Sequence, residues 1–197
     1  MVIKIAESNL TKRVLAQTLK ELIKTQPFEK ISVSDICNAC GVSRKTFYYH
    51  FLDKYALVEW IFDNEFITML RQSDIHELWS FIRALCDYFY REHSFYAQLL
   101  NFEGQNSFRQ YFREFMFHTI EPFILPENAE TIAIANKEGL VPNTAEDFYV
   151  RFLTDAILIA IFRWLTGGTK QTPEEFVTLL KSTADLITLR VINQSQK

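Results

Sequence analysis

Apolar residues recur along this chain at helical spacing, with polar residues filling the positions between them. Leu10, Val14, Leu15, Leu19, Leu22 and Ile23 share one side of a helix predicted over residues 8–26, and Lys12, Arg13, Lys20 and Lys24 take the other. Ser8 or Asn9 caps that helix and Pro27 ends it. The segment from Ile31 to Gly41 predicts a short helix, with Ser32 or Ser34 as its cap and Gly41 as its left-handed stop. Only Gly41, Val42 and Ser43 separate it from a second short helix, which Ser43 caps and which runs from Arg44 through Phe51. Asp53 caps a longer helix whose apolar side is Tyr55, Leu57, Val58, Ile61, Phe62 and Ile67. Two short helices joined by a three-residue turn containing Gly make a helix-turn-helix.

The helical period continues beyond residue 72, predicting helices at about 75–92, 94–102, 106–124, 144–166 and 173–193. Breaks fall at Ser73-Asp74, at Gly104, from Pro122 through Pro126 to Pro142, and at Gly167-Gly168 before Pro173. The stretch 125–143 reads as irregular, with a short helix at Ala129–Asn136. No run shows strand periodicity. The prediction is therefore an all-α protein of about nine helices: a three-helix head with the helix-turn-helix over 1–53, and a helical ligand-binding and dimerisation body over 54–197.

Composition agrees and sharpens this division. With 5 Gly and 5 Pro in 197 residues, turn signals are too sparse for a sandwich or barrel. The formal net charge of −3 conceals an asymmetry: residues 1–60 carry nine basic and six acidic side chains, whereas the remainder carries twelve and eighteen. Fifteen of the 18 Phe lie beyond residue 60. The N-terminal residues lack an apolar run before a cleavage site, and the apolar stretch Phe152–Leu165 is interrupted by Asp155 and Arg163. That stretch is also short of the roughly 20 apolar residues that a bilayer demands. No membrane partner is expected, and the location expected is cytoplasmic. No nucleophile–base pair, phosphate loop or metal-ligand set occurs, so neither an enzyme nor a cofactor is expected.

On the second short helix, Phe47 and Phe51 share the side that packs under the first helix, while Lys45, Thr46, Tyr48 and Tyr49 point away. A helix of this kind fits the major groove, where Arg44 and Lys45 in its first turn reach base edges. Ser43 and the free N–H groups of the first turn hold a phosphate oxygen, and Lys54 neutralises another. His50 divides between a phosphate contact and a packing or capping role. Cys37 and Cys40 have the spacing of half a zinc site, but no second pair follows; they read better as small buried residues.

In the body, the aromatic residues supply mostly core, and Tyr88, Tyr96, His118 and Arg151 are the polar candidates for lining a small-ligand cavity. Apolar side chains cover nearly the whole circumference of the 144–166 helix, from Phe148 and Phe152 to Leu165. A second copy of the chain is the covering surface expected for it, with Val177, Leu180, Ala184, Ile187 and Val191 of the last helix joining a two-fold interface.

The run ISVSDICNACGVSRKTFYYHFLDKYAL, from Ile31 to Leu57, resembles the DNA-binding head of the TetR family of bacterial transcriptional regulators. Val33, Ile36, Gly41, Val42, Ser43, Thr46, Phe47, Tyr48, Phe51, Lys54 and Leu57 fall in register with the family pattern. The resemblance implies a homodimer on a palindromic double-stranded DNA operator, acting as repressor or activator. It implies backbone contacts from Thr46, Tyr48, Tyr49, His50 and Lys54, and an approach to bases by Arg44, Lys45 and Tyr48. The run from Phe162 to Phe176 resembles a subgroup that includes regulators of dihydroxyacetone kinase operons, among them a coactivator that works with a protein partner. Control through a small-molecule effector bound in the body, or through a protein co-regulator, both follow from that resemblance.

Overall fold

Helix follows helix, with no strand among the described residues, which in this computed structural model are 2–101, 107–137 and 145–195. Helix α1 is Val2–Ile23, α2 is Val33–Cys40 and α3 is Arg44–His50. Helix α4 begins as Lys54–Phe62, widens into a π turn at Asp63–Ile67 and ends as Thr68–Arg71. Then come α5 (Leu78–Arg91), α6 (His93–Asn101), α7 (Phe108–Lys137), α8 (Ala145–Thr166) and α9 (Pro173–Ser195). The all-α architecture predicted from periodicity is the one observed.

The chain divides into two units, each assembled from two separate stretches of sequence. The first unit joins Met1–Asp74 to Glu92–Tyr111, and the second joins Ile75–Arg91 to Phe112–Lys197. In the first, Leu15, Leu19 and Ile23 of α1 are buried, with Ile36 of α2, Phe47 of α3, and Leu57, Ile61, Phe62 and Phe66 of α4. Helix α6 adds Phe95, Tyr96 and Leu99 to the same core. Phe62 meets the rings of Phe108 and Tyr96 edge-on at 5.6 and 6.3 Å. In the second unit Phe89 of α5 packs edge-on against Phe112 of α7 at 5.1 Å, and Phe112 lies 6.1 Å from Phe162 of α8. Trp164 of α8 stacks with Tyr90 of α5, at 6.1 Å, and with Phe176 of α9, at 4.8 Å.

Several local expectations are corrected. Helix α1 runs through Ser8 and Asn9 instead of starting at them, and it ends at Ile23, before Pro27. Thr25 and Gln26 amides close onto the Leu22 carbonyl, and Pro27 instead opens a 3-10 turn at Phe28–Lys30. Leu10 and Val14 follow the apolar spacing yet stand exposed. Helix α7 does not break at Pro122: it continues to Lys137, absorbing both the irregular stretch at its start and the short helix expected at 129–136. Proline deprives the carbonyl four residues back of its partner. Here that carbonyl belongs to His118, and both His118 and Pro122 face solvent, where water can satisfy the freed oxygen. The breaks expected at Gly104 and Pro142 lie outside the described residues.

Candidate nucleic-acid interface

Each boundary of the helix-turn-helix has a physical cause in its own residues. Ser32 caps α2 by accepting from the Asp35 amide at 3.1 Å, while Asp35 accepts from the Ser32 amide at 2.8 Å, a reciprocal capping box. Gly41 ends α2 at φ 70°, a left-handed conformation that a side chain would strain. Ser43 caps α3 by accepting from the Thr46 amide at 3.0 Å, and its hydroxyl lies 2.8 Å from that of Thr46. Asp53 caps α4 by accepting from the Tyr55 and Ala56 amides, both at 2.8 Å.

Helix α3 divides cleanly between core and surface. Phe47 is fully buried and Phe51, just past the helix end, is 6% exposed; their rings lie 5.8 Å apart. Burying a side chain of this size stabilises the head by about 1.5–3 kcal/mol. Arg44, Lys45, Tyr48 and Tyr49 are exposed, Tyr49 to 81%, and Thr46 and His50 are half-buried. The Arg44 guanidinium sits 5.9 Å over the Tyr48 ring, and His50 stands edge-on to Tyr49 at 4.9 Å. No carboxylate lies on α3, whose charged side chains are Arg44 and Lys45. Burial, and secondarily the nearby Lys12 ammonium, hold the His50 imidazole below its ordinary pKa, so it is neutral at pH 7.

Lys54 is placed differently from the role read in the sequence. Its ammonium donates to the carbonyls of Phe28 at 2.8 Å, Ile31 at 2.8 Å and Glu29 at 3.2 Å, and lies 4.4 Å over the Phe28 ring. A lysine has three N–H donors, and here all three point at backbone oxygens instead of outward to a phosphate. Burial pulls its pKa down, with Glu29 and Asp35 opposing. Lys20, read as a solvent-side residue, is also engaged: it bridges Glu65 of α4 at 2.7 Å and Glu92 at 2.9 Å. Gln98 of α6 carried no signal in the sequence, because its partners, the Ile23 carbonyl and the Phe28 amide, lie 75 and 70 residues away along the chain.

The two cysteines of α2, both read as small buried residues, differ in burial: Cys40 is only half-buried. Cys37 is buried, which raises its thiol pKa, and Cys40 donates to the Ile36 carbonyl at 3.1 Å. No group of three or more metal-ligating side chains occurs among the described residues. Of the residues read as cavity candidates, Tyr96 belongs to the first unit, fully buried among Phe62, Phe95 and Phe108. Tyr88, His118 and Arg151 belong to the second: Tyr88 is buried, His118 is exposed, and the Arg151 guanidinium covers the Phe117 ring at 4.2 Å. Arg151 lines a small recess with Arg113, Glu114, Phe117, Thr154 and Asp155. Neither Tyr88 nor His118 lines it. No described helix is long and apolar enough to cross a membrane.

A helix-turn-helix with a basic, outward-facing second helix on an all-α frame defines a transcriptional regulator, and known proteins agree. Residues 16–61 match the bacterial regulatory proteins of the tetR family, and residues 77–186, more than half of the chain, match a TetR transcriptional regulator C-terminal region. The chain belongs to the TetR family. It is 32% identical over 73 residues to the HTH-type dhaKLM operon transcriptional activator DhaS of Lactococcus lactis subsp. lactis (strain IL1403). That match spans 37% of this chain and 39% of the relative. A solved structure described as the dihydroxyacetone kinase operon activator DhaS shares its fold over 92% of this chain and 97% of that one, with a TM-score of 0.59 at 20% identity. A TetR transcriptional regulator from Streptococcus agalactiae 2603V does so over 90% and 95%, with a TM-score of 0.62 at 20% identity.

Proposed function

We propose that this regulator binds a palindromic DNA operator as a homodimer, each copy laying α3 in a major groove. The observation that carries this reading is the division of α3: Phe47 and Phe51 anchor it, which leaves Arg44, Lys45, Tyr48 and Tyr49 directed outward. Arg44 and Lys45 read base edges; Ser43, Thr46, Tyr48, Tyr49 and His50 hold the phosphate backbone. The head over 1–53 supplies recognition, and the remainder supplies dimerisation and control. The chain performs no catalytic step and works in the cytoplasm, where its operator lies.

Support for the dimer comes from the second unit. Phe148, Phe152 and Ile159 on α8, with Leu179 and Leu186 on α9, are large apolar side chains left exposed at 40–71%. The Phe148 and Phe152 rings stack on each other at 6.4 Å in the open. A two-fold partner placing the same helices against them would bury this surface. An effector bound in the second unit, where Tyr88, His118 and Arg151 lie, changes the spacing of the two heads and so the fit to successive grooves.

Gel retardation of fragments from the chain's own promoter region tests the reading. Salt-dependent retardation of one fragment by the dimer is expected; no retardation of any fragment at low salt overturns it. A promoter–reporter fusion then reads the sign of regulation. Co-purification with a non-identical subunit that carries the effector would support the coactivator alternative.

A further inference from the structure

We infer that Lys54 and Gln98 are positioning residues for DNA recognition, together clasping the connector between α1 and α2 and thereby fixing where α3 stands. The inference rests on the DNA-binding reading above. The connector begins where α1 ends, at Ile23, and helix ends leave carbonyls without intrahelical partners. Gln98 Nε2 donates to the Ile23 carbonyl at 2.8 Å, and its Oε1 accepts from the Phe28 amide at 3.1 Å. One amide side chain from α6 thus spans the connector. From the other side, the Lys54 ammonium in the first turn of α4 gathers the carbonyls of Phe28, Glu29 and Ile31. Phe28 is buried beneath it, edge-on to Tyr55 at 5.5 Å.

The clasp closes directly onto the reading head. Ile31 precedes Ser32, the cap of α2, and α2 leads through Gly41, Val42 and Ser43 into α3. A shift of the connector therefore moves the start of α2, and α3 with it. Neither Lys54 nor Gln98 lies on α3, so each acts on recognition through the connector. Replacing Lys54 takes the donor from the part-buried Ile31 carbonyl, and replacing Gln98 takes it from the Ile23 carbonyl, each of which costs more than the bond itself is worth. Gln98 also gives α6 a direct grip on the head: a movement of α6 pulls on Ile23 and Phe28 together.

Counterion release separates positioning from phosphate contact, because losing one phosphate contact lowers the slope of log affinity against log salt by about 0.9. The measurement compares wild type with Lys54→Met, Lys54→Arg and Gln98→Met, each titrated with its promoter duplex and with a scrambled duplex between about 50 and 200 mM salt. Amide hydrogen exchange at Ile31 and Asp35 is followed in the same proteins. Lys54→Met and Gln98→Met should each weaken promoter binding by about tenfold, leave scrambled-duplex binding and the salt slope unchanged, and speed exchange at Ile31 and Asp35. Lys54→Arg, which keeps donors, should recover part of the promoter affinity. A slope lowered by about 0.9 in Lys54→Met makes it a phosphate contact and overturns the inference. Equal losses on both duplexes, or unchanged exchange, also overturn it. If Lys54→Met does not fold, Gln98→Met carries the same readouts. If wild type binds no duplex, the DNA-binding reading fails, and the exchange data alone still decide whether the clasp exists.

Discussion

The aromatic residues of α3 and those of α8 serve opposite ends. On α3, Phe47 disappears into the core of its own unit so that its neighbours Tyr48 and Tyr49 can project from a short, firmly seated helix. On α8, Phe148 and Phe152 stay outside, although Val150, Leu158, Ile161 and Leu165 of the same helix are buried. A ring anchored inside stabilises the chain that carries it; a stripe of rings left outside stabilises an assembly. Under the proposed function, similar residue chemistry serves a recognition surface in one region and an association surface in the other.

The largest effect that would break this comparison is the loss of the anchor. Phe47→Ala should destabilise the first unit by about 3–5 kcal/mol, read as an early melting transition by circular dichroism and loss of promoter binding. Phe152→Asp should leave helix content and the melting of the separated chain unchanged, while sedimentation shifts from dimer to monomer. Unfolding by Phe152→Asp, or a persistent dimer, would put α8 on the same footing as α3 and dissolve the contrast.

Next in size is the outward side of α3. Arg44→Ala should cost about 1–3 kcal/mol on the preferred base and relax preference there, measured by binding to duplexes substituted one pair at a time. Uniform weakening across all of them would make Arg44 a backbone contact. Smaller again are the caps: Asp53→Ala should cost about 1 kcal/mol of head stability in urea unfolding, because the Tyr55 and Ala56 amides lose their acceptor.

The smallest effect is a pH dependence. His50 is held below its ordinary value of 6.5, so the unfolded chain takes up a proton more readily than the folded one as the pH falls through 6.5. Head stability should therefore decline modestly between pH 7 and 5, with no contribution from this group above neutrality. Melting temperatures of His50→Gln over the same range should fall less than those of wild type, and identical curves would remove His50 from the account.

The head was legible because its signals are local. Ser32 and Asp35, Gly41, Ser43 and Asp53 each act within a few residues of themselves, and each does what its position in the sequence implies. The outward set on α3 followed from the same short-range geometry. Lys54, Lys20 and Gln98 were not legible in this way: their partners lie 23 to 75 residues off, and a charged or amide side chain gives no sign of which carbonyl or carboxylate it will meet. Pro122 misled for the reverse reason. A local rule says a helix breaks there, but an exposed position lets water serve the freed carbonyl and α7 continues. Leu10 and Val14 show the same limit from the apolar side, since periodicity names a face without naming what covers it.

The claim that α3 is a DNA-reading helix is tested most directly by titrating the promoter duplex with wild type and with the Arg44→Ala/Lys45→Ala double variant across a salt series. Wild type should bind two chains per duplex in a salt-dependent way, and the double variant should lose promoter preference with its fold intact. Equal preference in the two proteins, or no binding by wild type at low salt, would contradict the claim.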